Sequence, residues 1–115
     1  MNGQVIDYVR RPRKLEGRTD VFGLYVVEDS MSPRWDPGDP IFVEANRAPS
    51  IGDYVVVELY PDDGSPERPA HLKKLIRVSG SKIIVEQHNP PKRIEYDRRQ
   101  VLRLYRVIPY PELLG

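Results

Sequence analysis

The chain reads as a small all-β domain, mixed or antiparallel. Three observations predict it: short β-rich runs recur between turn signals, twelve prolines interrupt every candidate long helix, and no window sustains a 3.6-residue apolar period. With 115 residues there is room for one hydrophobic core but not two. Six strands are expected, at Phe22 to Val27, Pro40 to Glu44, Tyr54 to Leu59, His71 to Val78, Lys82 to Gln87 and Val101 to Ile108. Asp36-Pro37-Gly38-Asp39, Ile51-Gly52-Asp53, Pro61 to Pro66 and Ser79-Gly80-Ser81 carry the residues that tight reversals need, and Asp62 to Pro69 reads as a hairpin tip. At most one helical turn follows Ser30. The run Tyr54-Val55-Val56-Val57 is apolar on both faces, so this strand is expected to be buried on both sides or to lie at a dimer contact.

Composition narrows the chemistry. Eighteen basic residues face seventeen acidic ones, net charge +1, and the basic residues are scattered. The nearest approach to a basic patch, Arg10-Arg11-Pro12-Arg13-Lys14, reads as a solvated N-terminal arm, so nothing demands nucleic acid. With no cysteine there is no disulfide, thiolate or Cys-ligated metal, and two histidines make a His-rich metal site improbable. No metal and no cofactor are expected. No apolar run approaches the length of a membrane span and the N-terminus lacks a signal-peptide core, which together predict a soluble, cytoplasmic protein.

Chemistry concentrates in Asp29-Ser30-Met31-Ser32-Pro33, in Gly38-Asp39-Pro40 after it, and in Leu72-Lys73-Lys74-Leu75 on an expected strand. A serine hydroxyl needs a neighbour to take its proton, and a lysine can be that neighbour only if desolvation lowers its pKa. Strict alternation puts Leu72, Lys74, Ile76 and Val78 on one strand face and His71, Lys73, Leu75 and Arg77 on the other. By periodicity alone Lys74 shares the apolar row, so either lysine is a candidate base. Ser32 reads as a cap or turn residue before it reads as a nucleophile, Met31 as core, and Asp39 and Asp53 as turn residues after glycine. His71 is able to approach Ser30 from the face of Lys73, although a surface histidine is the plainer reading; His88 reads as loop, and Trp35 and Tyr54 as core or interface anchors.

Glu28-Asp29-Ser30-Met31-Ser32-Pro33, Gly38-Asp39, Gly52-Asp53 and Leu72-Lys73-Lys74-Leu75, in this order, resemble the LexA and phage CI-type repressor peptidases, with Asn89-Pro90 as a weaker match. The resemblance runs from about Phe22 to Ile108. It implies the LexA C-terminal fold with its β-clip over residues 22–115 and a linker remnant over residues 1–21. It further implies a self-cleaving peptidase in which Ser30 attacks, Lys73 rather than Lys74 takes the proton, and the backbone amides of Asp29 and Ser30 form the oxyanion hole. The partners implied are a second copy in a homodimer, the linker of the parent chain as substrate, DNA through an N-terminal domain upstream of this chain, and, for the LexA type, a RecA filament as trigger. The Ala-Gly or Cys-Gly bond that such serines cut is absent from the twenty-nine residues before Ser30, which places the scissile bond upstream. UmuD-like polymerase accessory proteins share the domain, and an idle dimerisation module is the other alternative.

Overall fold

The computed structural model describes residues 5–6, 20–61 and 68–114. Eight strands form one sheet: β1 (Val5–Ile6), β2 (Val21–Val26), β3 (Pro40–Glu44), β4 (Tyr54–Leu59), β5 (Ala70–Val78), β6 (Lys82–His88), β7 (Pro91–Asp97) and β8 (Val101–Val107). Their spatial order is β1-β2-β3-β8-β4-β5-β6-β7, every neighbouring pair antiparallel. A 3₁₀ turn at Arg98–Gln100 leads into β8, and a short helix α1 (Tyr110–Leu114) ends the described chain. The all-β expectation therefore holds, and the six expected strands are present with ends within a residue of those read from the sequence. The expected basic arm segment Arg10 to Lys14, and residues 62–67 of the expected hairpin tip, lie outside the described residues.

Two strands and the helix were not expected. β7 is an edge strand whose Pro91, Lys92, Arg93 and Glu95 face solvent, while Ile94 and Tyr96 pack on the core. Its apolar content is therefore low, as suits an edge that resists pairing with other chains. Its register sets Lys82 opposite Asp97 and Glu86 opposite Arg93, so cross-strand charge complementarity replaces apolar alternation as its signature. Proline opens the strand, where a missing N–H is tolerated. β1 lies within the stretch read as an arm and pairs Val5 with Val26 and Ile6 with Tyr25. In α1 a proline occupies the first turn, where its nitrogen would have had no partner in any case.

Side chains from both faces of the sheet are buried. One cluster gathers Leu24, Val26, Met31, Ile41, Val43, Val56, Leu72 and Val107, a second gathers Val55, Val57, Leu75, Ile83 and Val85, and a smaller third gathers Val21, Phe42 and Ile108. β4 contributes to both, with Val55, Val56 and Val57 all at 2% exposure or less, which is the two-sided burial its sequence predicts. The same is true of β5, where Leu72 enters the first cluster and Leu75 the second.

The β4 turn depends on Gly52, whose φ of +94° lies in the left-handed region. Its amide donates to the Leu75 carbonyl at 2.8 Å and the Leu75 amide donates to the Asp53 carbonyl at 2.8 Å, so the turn is tied to β5 beside the two lysines. A Cβ on Gly52 would meet nothing within 4 Å. Gly52→Ala is therefore expected to cost about 1–2 kcal/mol through backbone conformation alone. The check is the guanidinium unfolding midpoint; an unchanged midpoint would show that the turn relaxes freely.

Candidate active site

The serine motif sits where β2 runs out of sheet partners. Ser32 N donates to the Asp29 carbonyl at 3.0 Å and Trp35 N to the Met31 carbonyl at 3.2 Å, so the segment after Ser30 closes in a single helical turn, as expected. Met31 is 1% exposed and anchors this turn in the first core cluster, which leaves the neighbouring Ser30 half-buried at its surface. Ser32 Oγ donates to Asp36 Oδ1 at 2.6 Å, and the Asp36 amide donates to Asp39 Oδ2 at 2.8 Å. Both side chains hold turns. Asp53 does the same for the next turn, its Oδ2 accepting from the Ser50 amide at 2.8 Å.

Lys73 reaches this loop from β5. Its Nζ donates to Ser30 Oγ at 3.0 Å across 43 residues of sequence, and the residue is only 4% exposed. Burial holds its pKa below 10.5; the Glu28 carboxylate works against that shift and the Lys92 ammonium adds to it. The neutral amine is thus favoured relative to an exposed lysine, and a neutral amine beside a serine hydroxyl can accept its proton. Lys74 points to the opposite face, beside Tyr54, with its Nζ 5.9 Å from that ring. Of the two adjacent lysines, only Lys73 meets the serine. His71 is half-buried on the Lys73 face, its pKa lowered first by burial and then by the Lys73 charge, with Glu28 opposing, and it has no described hydrogen bond to Ser30.

Two residues that the sequence left in a loop hold the serine from behind. The His88 and Asn89 amides donate to the Ser30 carbonyl at 3.0 and 2.9 Å, and Asn89 Nδ2 donates to the Asp29 carbonyl at 3.2 Å. These contacts are made through the backbone or through a short amide, so the only sequence signal was the Asn-Pro pair itself. Trp35 and Tyr54 pack edge to face at 4.6 Å against the first core cluster, as anchors should, and Tyr54 Oη lies 3.0 Å from His88 Nε2. Arg34 stacks over Trp35 at 4.3 Å. Among the described residues no group of three or more His, Cys, Asp or Glu side chains could hold a metal ion, and no helix is long and apolar enough to cross a membrane.

The all-β sheet thus brings the serine turn that follows β2 to a buried lysine on β5. The chain belongs to the Peptidase S24-like family, whose model matches residues 2–105. It is also 36% identical over 110 residues to Repressor protein C of Rhizobium phage 16-3, an alignment that takes in 93% of this chain and 41% of that protein. The chain thus spans about two fifths of its relative's length. No solved structure matches it.

Proposed function

We propose that this chain is the self-cleaving peptidase domain of a phage-type transcriptional repressor, with Ser30 as nucleophile and Lys73 as base, cutting a linker bond upstream of the residues in hand. The observation that carries the reading is the 3.0 Å contact between Lys73 Nζ and Ser30 Oγ on a lysine 4% exposed. The phage repressor relative favours a repressor over a polymerase accessory subunit. A parent chain of this kind would bind DNA through an upstream domain, dimerise through this one, and lose paired half-site contacts once the linker is cut.

In the proposed reaction neutral Lys73 takes the Ser30 proton as Oγ attacks the linker carbonyl, forming a tetrahedral oxyanion. The Asp29 and Ser30 amides are the donors for that oxygen; neither donates to a backbone carbonyl among the described residues. Preorganised N–H groups suit this task because they need not reorganise as charge develops. The Lys73 ammonium then returns the proton to the leaving nitrogen, the C–N bond breaks, and an acyl ester on Ser30 remains. Water then attacks the ester carbonyl as it gives a proton to Lys73, the bond between that carbon and Ser30 Oγ breaks, and Lys73 returns the proton to Oγ, restoring both residues. A linker tethered in cis is present at very high effective concentration, so restraint has to come from conformation rather than encounter.

The test is intact-mass analysis of the protein carrying its natural upstream sequence, incubated between neutral and alkaline pH beside Ser30→Ala and Lys73→Ala. The expected result is one scission upstream of Met1 in the parent alone. Its rate should climb as Lys73 loses its proton and level off below the range of an exposed lysine, because the lysine's pKa is lowered. If the parent stays whole at every pH, with and without an activated RecA filament, the catalytic reading fails and dimerisation is left as the domain's role.

A further inference from the structure

The tip of the β6–β7 hairpin lies against the serine loop and fixes two consecutive peptide planes. The Asp29 carbonyl accepts from Ser32 N at 3.0 Å and from Asn89 Nδ2 at 3.2 Å; the Ser30 carbonyl accepts from His88 N at 3.0 Å and Asn89 N at 2.9 Å. Each carbonyl thus has both lone pairs engaged, so the planes on either side of the Ser30 Cα have little freedom to rotate. In a trans peptide the N–H points opposite to the C=O, so holding the Asp29 carbonyl against the hairpin aims the Ser30 N–H away from it. What remains free at Ser30 is the side-chain torsion, and Lys73 Nζ takes that up at 3.0 Å.

The hairpin tip is itself braced. Gln87 is 7% exposed and its Nε2 donates to the Pro90 carbonyl at 3.0 Å. His88 Nε2 lies 3.0 Å from Tyr54 Oη, Tyr54 packs on Trp35 at 4.6 Å, and the Trp35 amide donates back to the Met31 carbonyl at 3.2 Å. The contacts close a ring that begins and ends in the serine loop. Most of its links are backbone or packing, which many side chains would preserve. The Asn89 amide is different, because among the described residues it alone supplies a side-chain donor to the nucleophile loop from the hairpin.

We propose that Asn89 is a positioning residue: by holding the Asp29 carbonyl it sets the direction of the Ser30 N–H and the Ser30 Cα, with the Tyr54–His88 contact as its brace. The kinetic half of this rests on the Ser30–Lys73 peptidase reading; the structural half does not. Asn89→Ala deletes the donor, and Asn89→Asp keeps the shape while turning a donor into a charged acceptor facing a carbonyl.

Two measurements decide it. Backbone ¹⁵N order parameters, recorded in a Ser30→Ala background so that cleavage cannot interfere, are expected to fall at residues 29–32 in both Asn89 variants while those of β4 and β5 stay unchanged. In the self-cleaving parent chain with its natural upstream sequence, both variants are expected to cleave about tenfold more slowly, the effect of one such hydrogen bond on alignment. For Asn89→Ala the pH midpoint of the rate should not move, because no charge is added near Lys73, and the melting temperature should stay within a few degrees of the parent's. Unchanged order at residues 29–32, or an unchanged rate, overturns the proposal, and so does a slower Asn89→Ala rate accompanied by a shifted pH midpoint. An inert parent chain would sink the peptidase reading instead, while the order parameters would still decide whether Asn89 clamps the loop.

Discussion

Lys73→Met is expected to abolish the self-cleavage proposed for the parent chain and to make the domain more stable. Both effects come from one feature, a lysine 4% exposed whose protonated form is disfavoured first by burial. Methionine has a similar length and no charge to desolvate, so the variant removes the base while relieving the fold. Replacing a buried ion pair with apolar groups of similar volume is often neutral or favourable by about 1–4 kcal/mol; for this single ammonium the low end of that range is expected, and each 1 kcal/mol shifts the melting temperature by roughly 4–8 °C in a small domain. The pH dependence has a definite sign. Below the lowered folded-state pKa, both states carry the proton and the wild-type protein bears the full penalty. As pH rises from that pKa toward 10.5 the folded state has already released its proton while the unfolded state still holds one, so wild-type stability rises and the gap to Lys73→Met narrows. Thermal melts of both proteins across that window are the check. A variant less stable than wild type, or a gap that ignores pH, would mean that the ammonium is well accommodated and the base assignment is in trouble.

Arg106→Ala is expected to be the most destabilising single change, at about 3–5 kcal/mol, the range found when one member of a buried ion pair is removed. The Arg106 side chain is 6% exposed and donates to Glu44 Oε2 at 2.7 Å, Asp53 Oδ2 at 3.3 Å, and Glu112 Oε1 and Oε2 at 3.1 and 2.7 Å. Its pKa is raised, chiefly by Glu112, so it stays charged at any pH the fold survives. The guanidinium ties β8 to β3, to the turn before β4 and to α1. Only a planar fork with several donors serves three carboxylates from one point, so Arg106→Lys should also lose most of this stability. The Glu44 side chain is 6% exposed, and alanine would strip it of this counter-charge. Adding Glu44→Gln to Arg106→Ala should therefore restore part of the loss. Urea denaturation of the three variants measures it; a loss under 1 kcal/mol for Arg106→Ala would show that the network is not holding these elements together.

The fold was legible where local patterns determine it. Turns such as Asp36-Pro37-Gly38-Asp39 and Ile51-Gly52-Asp53 carry their own hydrogen-bonding logic, and the β-branched runs between them have few alternatives to strand. β7 was not legible, because an exposed edge strand made of Pro91, Lys92, Arg93 and Glu95 looks like loop until its register against β6 is known. α1 was missed because its Glu112 finds its partner on β8, a contact that no local pattern encodes. At the candidate site, alternation could not separate Lys73 from Lys74. Alternation set Lys74 in the apolar row, but β5 is covered on both faces, with Leu72 in one cluster and Leu75 in the other, so that row did not mark the site. The motif resemblance pointed to Lys73, and the contact with Ser30 falls on that residue. The roles of His88 and Asn89 were hidden for another reason: two of their three contacts with the loop use main-chain amides, which every sequence possesses.

The antiparallel pairing of Val5 with Val26 has a consequence for reach. β2 runs toward Ser30, so β1 must enter from that same end, and Val5 lies at the end of the sheet that carries the serine loop. A linker threaded this way would be on a short leash, each extended residue adding only about 3.3 Å to its range. Scission within that range would be a first-order event, with a half-life the same in a dilute lysate as in a crowded cell. A repressor cut in this manner would keep time by its own clock, whatever its copy number.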